Sequence, residues 1–322
     1  MKQETSTAWI AQFLAADPPR SKSLVMTIFG DTIAPHGGAI WLGSLIDLLA
    51  PFGVNDRLLR TSVFRLVQEG WLVANRDGRR SAYAIVPAAL PRFERANRRI
   101  YAPLERHWDG NWTLLFCNPS AIDAPLRADL RKELLWEGFA MIAPGMFGHP
   151  VANAGLIDEI VRRVGVQGKL FVCQASALPE AGGRPLSALV ADGWDLSAVI
   201  ASYRHFIEQF EPLLGLLEPG LAQSGMPQSS APTDLPLSGA EAFVIRTLLI
   251  HAYRRVQLHD PMLPVELLPD PWPGSAAYAL ARTLYRALQR PAEEYIMTTL
   301  RREERDVRPA DSAFYQRFGG LA

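Results

Sequence analysis

Residues 55–85 read NDRLLRTSVFRLVQEGWLVANRDGRRSAYAI, and the hydrophobic period changes inside this stretch. Up to about Glu69, Leu59, Val63, Leu66 and Val67 recur with the spacing of one helical face, and Asn55 stands where an N-cap belongs. Beyond Gly70 the pattern becomes two short alternating segments, 71–75 and 80–86, joined through Arg76-Asp77-Gly78-Arg79. Asp-Gly between alternating segments is a strong hairpin signal. The stretch therefore predicts a helix leading directly into a basic hairpin.

Toward the N-terminus, residues 23–33 read as a helix with Leu24, Ile28 and Phe29 facing inward, ending before Pro35 and Gly37-Gly38. A second helix over 41–50 carries Leu42, Leu45, Ile46 and Leu49, and Pro51 with Gly53 stops it. Helix, helix, tight turn, helix, basic hairpin is the order of a winged helix-turn-helix, predicted over 22–88 behind an N-terminal tail at 1–21.

With Leu59, Val63 and Leu66 turned inward, Arg57, Arg60, Thr61, Phe64, Arg65 and Gln68 lie on the other side of the third helix. Such a face suits the major groove of DNA: Arg bonds bidentately to guanine, and Gln and Thr contact other base edges. Arg57, Arg60 and Thr61, early in the helix, reach furthest. Arg76, Arg79 and Arg80 at the hairpin tip would meet phosphates or the adjacent minor groove. An Arg-rich face is otherwise merely solvated, and an internal ion pair is the competing role for Arg65.

The charge distribution favours binding. The whole chain balances 33 Lys plus Arg against 33 Asp plus Glu, yet residues 1–106 hold 14 against 9, leaving 19 against 24 for the remainder. Within residues 52–101 ten Arg face four acids, so the positive excess sits where a polyanion would need it.

Downstream, Pro87 and Pro91 break the sheet before a basic helix at 92–100, and 89–107 reads as a connector. A strand at 112–118, a helix at 124–136, a strand at 146–151, a helix at 156–164 and a strand at 169–175 suggest a ferredoxin-like α/β sandwich over 108–180. A Gly/Pro-rich break at 179–185 precedes a helix at 194–210. Residues 219–236, rich in Ser, Pro, Gln and Gly, read as an exposed loop. A helix at 239–258, an extended stretch with five prolines at 260–273, and closing helices at 274–289 and 291–304 make a mainly helical C-terminal domain over 190–322. The fold class is α+β.

At 322 residues and 35.6 kDa the chain exceeds one ordinary core, and 48% hydrophobic residues with eight Trp exclude a largely disordered protein. The uncharged stretch 138–157 contains four Gly and two Pro and is no membrane-spanning helix. No export pattern follows Lys2 and Glu4, and Cys117 and Cys173 read as buried thiols, so a cytoplasmic protein is expected. The six His, at 36, 107, 149, 205, 251 and 259, form no metal-spaced pair, and no G-x-S-x-G or Gly-rich phosphate loop is present. Neither catalytic nor metal-binding residues are expected.

The blocks SKSLVMTIFGD, PHGGAIWLGSLIDLLAPFG, RTSVFRLVQEGWL and GRRSAYAI, in this order, resemble the PaaX family of bacterial phenylacetate-catabolism repressors. WDGNWTLL, LLWEGFAMIAPGMF, WDLSAVIASYRHF, HAYRRVQLHDPMLPVELLP and WPG are similar to the same family's middle and C-terminal blocks, so the resemblance runs from residue 21 to about residue 285. It implies a homodimeric winged-helix repressor that binds double-stranded operator DNA, needs no cofactor, and loses operator affinity when phenylacetyl-coenzyme A binds. It also implies a middle domain like that of small CRISPR-associated nucleases. Those nucleases need a metal-binding Asp at the end of the first strand, where this chain has Asn118 and Pro119, so nuclease activity is not expected.

A coenzyme A thioester needs cations for its phosphates and apolar walls for its acyl group. His251, Tyr253, Arg254 and Arg255 on one helix, with Tyr203, Arg204 and His205 on another, are the candidate effector-binding residues. Locking domains together is the alternative role for the same groups. Two other readings compete: an acyl-coenzyme A thioester enzyme using His205 or His251 as base, and a regulator of the same architecture answering to another aromatic acid or acyl-coenzyme A.

Overall fold

The protein is described here by a computed structural model, covering residues 5–103, 108–118, 120–152, 154–176, 185–221, 237–304 and 307–321. Packing divides the chain into two compact units, one of residues 1–103, 205–255 and 277–322, the other of residues 104–204 and 256–276. The first hundred residues thus share a unit with residues 205–255 and 277–322.

The N-terminal tail contains a helix, α1 (Ser6–Ala16), capped by the Thr5 hydroxyl. Trp9 and Phe13 are buried and meet the Phe210 ring, each with centroids 5.4 Å away. The next helix, α2 (Ser21–Ile28), starts earlier than expected and widens into a π-helical turn at Phe29–Ile33 and a 3-10 turn at Ala34–His36. Gly37 and Gly38, with φ of +100° and +75°, then turn the chain into β1 (Ala39–Trp41). Three residues are too few to show an alternating pattern, so the sequence alone places Trp41 in the following helix.

The following elements are α3 (Leu42–Leu49), α4 (Asp56–Gln68), β2 (Leu72–Asp77), β3 (Arg80–Ile85) and α5 (Leu90–Tyr101). The strands form an antiparallel sheet of order β1-β3-β2. Pro91 sits in the first turn of α5, where its missing N–H is harmless, so the helix begins before it.

In the second unit, β4 (Asn111–Cys117), α6 (Ala124–Trp136), β5 (Ala140–Ala143), β6 (Met146–His149), α7 (Ala154–Val164) and β7 (Leu170–Ser176) follow one another. The sheet has order β5-β6-β4-β7 with every pair antiparallel. Leu115, Leu130, Leu134, Phe147, Ile157 and Ile160 form a core between sheet and helices. A second cluster gathers Trp112, Ala140, Trp194 and Leu263. The four-residue β5 is too short for the sequence to announce it.

The remaining helices are α8 (Leu186–Gly193), α9 (Leu196–Phe210), α10 (Pro212–Leu221), α11 (Gly239–Gln257), α12 (Pro273–Leu300) and α13 (Ser312–Tyr315). The two closing helices expected at 274–289 and 291–304 are one. Pro291 lies inside α12, flanked by Leu288, Ala292 and Ile296, all fully buried; packing outweighs the backbone bond that proline removes. Residues 179–184 of the expected break and 222–236 of the expected loop lie outside the described residues.

Candidate nucleic-acid interface

The face of interest begins at Asn55, whose Oδ1 accepts a hydrogen bond from the Leu58 N–H at 2.9 Å and starts α4. Gly53, at φ +73°, supplies the left-handed turn that separates α3 from α4. Leu59, Val63 and Leu66 are essentially inaccessible, and the Ser21 and Ser62 hydroxyls meet at 2.9 Å between α2 and α4. With this side anchored, the outer side has a fixed direction. Arg57, Arg60, Thr61, Phe64, Arg65 and Gln68 are all exposed, as the sequence predicts.

The hairpin is held by the full β2/β3 register down to Asp77↔Arg80, and Gly78 at φ +58° opens its loop. Arg76, Arg79 and Arg80 are exposed at its end. Among the described residues the side chains of Arg57, Arg60, Arg65, Arg76 and Arg79 make no hydrogen bond or ion pair, and the internal pair considered for Arg65 does not form. Other surface cations do pair: Lys22 with Glu69 at 2.6 Å, Arg163 with Glu133 at 2.6 Å, Arg255 with Asp17 at 3.2 Å, and Arg302 with Asp47 at 3.3 Å.

Arg80 differs from its neighbours. Its guanidinium lies 4.2 Å from the centroid of the Trp41 ring and donates through Nη2 to Glu303 Oε2 at 2.7 Å and to the Glu303 carbonyl at 3.0 Å. Thr61 also spends its one hydroxyl proton internally, on the Arg57 carbonyl at 2.9 Å.

The candidate effector residues divide between the two units. In the second unit Tyr203 is buried, donates to Asp260, accepts from Gln257 Nε2 at 3.0 Å and packs edge-on against Trp272. Arg204 is exposed. In the first unit His205 is exposed, Tyr253 is buried against Phe206 and Phe318, and Arg255 is tied to Asp17. His251 and Arg254 meet on the Thr27 hydroxyl, at 3.0 and 3.1 Å. Burial, reinforced by the charges of Arg254 and Arg255, pulls the His251 imidazole down to about 3, so it is neutral near pH 7. Burial likewise lowers the Arg254 guanidinium.

A buried polar network escaped sequence reading. Asp31, in the π-helical turn, accepts through Oδ1 from the hydroxyls of Tyr101 at 2.6 Å and Tyr285 at 2.8 Å and from Arg317 Nη1 at 3.0 Å. Arg246 Nη2 lies 3.3 Å from Asp31 Oδ2, and its Nη1 donates to Glu293 Oε1 at 2.6 Å. His36 Nε2 meets Glu293 Oε2 at 3.0 Å, and its Nδ1 meets the Arg308 carbonyl at 2.7 Å. Burial opposes the Glu293 charge, but Arg246 and His36 hold the carboxyl down to about 2. Burial also opposes the His36 cation, yet Glu293 and the Arg308 carbonyl prevail and raise its pKa. The signal for this network was a charge inside an apolar run, FVIRTLLI around Arg246 and TIFGDTI around Asp31.

Family models match three segments: a PaaX-like protein over residues 20–88, a PaaX protein central Cas2-like domain over 105–188, and a PaaX-like protein C-terminal domain over 194–298. The curated transcriptional repressor PaaX of Escherichia coli (strain K12) is 35% identical over 314 residues, covering 97% of this chain and 94% of that protein. Among solved structures, the uncharacterized protein Rv0674 from Mycobacterium tuberculosis matches with a TM-score of 0.49 and 23% identity, covering 87% of this chain and 98% of that one. On three consecutive domain matches and a relative aligned over nearly its whole length, this chain belongs to the PaaX family.

Proposed function

We propose that this protein is a transcriptional repressor of phenylacetate catabolism that binds double-stranded operator DNA as a homodimer and is released by phenylacetyl-coenzyme A. The curated relative is a transcriptional repressor, and the observation that carries the reading to these residues is the unpaired, exposed guanidinium set on α4 and the β2/β3 tip. In this reading α2 to α4 with the hairpin constitute a winged helix-turn-helix, α4 enters the major groove, and the hairpin follows the backbone. The order β5-β6-β4-β7, with one helix after β4 and one after β6, fits a ferredoxin-like sandwich for the middle domain. Two recognition helices roughly 34 Å apart in the dimer would span one DNA turn, and the effector would favour a different separation. The protein acts as a regulator rather than a catalyst, in the cytoplasm; among the described residues no helix is long and apolar enough to cross a membrane.

The test is fluorescence anisotropy of a labelled fragment from the chain's own promoter region, titrated with protein and then with phenylacetate or its coenzyme A thioester. About six phosphate contacts predict a slope of log affinity against log salt near roughly −5. Arg57→Ala should cost about 1–3 kcal/mol of specific binding. A salt-independent response, or Arg57→Ala binding as tightly as the parent, refutes DNA binding by this face; release by phenylacetate alone reassigns the effector.

A further inference from the structure

Phe64 is 62% exposed in the middle of the thirteen-residue α4. At about 100° per residue, Arg57, Thr61, Phe64 and Gln68 fall within about 60° of one another, diametrically opposite Leu59, Val63 and Leu66. No rearrangement of α4 about its axis buries Phe64 without exposing those three. The ring is therefore displayed outward by the packing itself.

Its surroundings select the partner. Arg57, Arg60 and Arg65 flank it with unpaired guanidiniums, and Glu69 at the end of the helix is already neutralised by Lys22. An apolar protein surface would have to desolvate three cations to reach the ring, whereas a polyanion pairs with them. Phe64 carries no donor or acceptor. Thr61, one turn earlier on the same stripe, has committed its only hydroxyl proton to the Arg57 carbonyl and presents outward lone pairs and a methyl group. Among the features that base pairs expose in the major groove, the one an apolar group recognises is the C5-methyl of thymine.

We propose that Phe64 is a specificity-determining residue that packs on a thymine methyl in the major groove, with Arg57 and Arg60 reading neighbouring bases. The inference rests on the DNA-binding reading above and adds to it a required base feature.

The experiment uses the full-length chain and a duplex enriched by it from a random-sequence pool. Each thymine of the enriched site is replaced singly by deoxyuridine, which removes the methyl and leaves every hydrogen-bonding group in place. Wild type should lose about three- to tenfold in affinity at one thymine per half-site, a single methyl contact's worth. Phe64→Ala, with its fold verified by circular dichroism, should bind the thymine and uracil duplexes within about twofold of each other. Wild-type affinity unchanged at every thymine, or the same uracil loss in Phe64→Ala, overturns the inference. So does a Phe64→Ala chain that sediments as a smaller species while its uracil response stays wild type, because Phe64 is then a contact between copies. If no sequence is enriched and Arg57→Ala is without effect, the DNA-binding reading itself has failed; an enriched site with an Arg57→Ala loss and no uracil effect removes this inference alone.

Discussion

Arg246 carries a guanidinium into a part of α11 with no exposed surface, and a buried cation of that kind is tolerable only if anions and acceptors are already in position. Asp31 and Glu293 provide them. Removing one partner leaves the other's charge uncompensated, so Glu293→Ala should lower unfolding free energy by about 3–5 kcal/mol. The pH dependence has two arms. Glu293 is held at about 2 against an ordinary 4.5, so its stabilisation is complete above about 4.5 and is lost as pH falls toward 2. His36 is raised above its ordinary 6.5, so its contribution is complete below 6.5 and is lost as pH rises through its folded value. Urea unfolding from pH 3 to pH 9 should show both arms in wild type, the alkaline one missing in His36→Asn and the acid one reduced in Glu293→Gln. A wild-type profile without either arm contradicts the network as drawn.

At the level of elements, the strongest local patterns were the ones read correctly. In α4 the cap, the inward stripe and the Asp-Gly hairpin after it are all encoded within a single stretch of sequence, and the exposed basic face follows by subtraction. The strands β1 and β5 are too short to show a period, and Pro291 argues locally for a break that buried neighbours override. The polar network is assembled from residues up to 286 positions apart, so no local window contains it. The same separation hid the partner of Arg80. Glu303 reaches the hairpin past Gly43, where a Cβ would lie 2.1 Å from Glu303 Oε1. Gly43→Ala should therefore push the flexible Glu303 carboxylate away, leave α3 as stable or up to about 1 kcal/mol more so, and free Arg80. Both Gly43→Ala and Glu303→Gln should steepen the salt slope of DNA binding by about one unit, the worth of one more phosphate contact. Unchanged slopes in both would mean that Arg80 takes no part in binding.

For the whole molecule, repression with release by an effector requires differential affinity, since a ligand that binds two states equally shifts nothing. On the proposed release by phenylacetyl-coenzyme A, linkage makes the effect reciprocal: operator DNA should weaken thioester binding by the same factor. Calorimetry of the thioester with and without a saturating operator duplex measures that factor, and equal affinities would exclude the scheme. The candidate effector residues are the least legible in the sequence, because aromatic and basic side chains clustered on helices can equally be packing groups. Tyr203 bonds Gln257, Tyr253 packs on Phe206 and His251 meets Thr27, contacts that either role would make.

The Asp31 network has a practical corollary for protein engineering. Asp31 and His36 come from the turns just ahead of β1, while Arg246, Glu293 and Arg317 come from α11, α12 and the C-terminal turn. A fragment cut after residue 88 would expose an acidic socket with nothing to fill it. Hybrid chains made within the family should accordingly exchange both halves of that socket together.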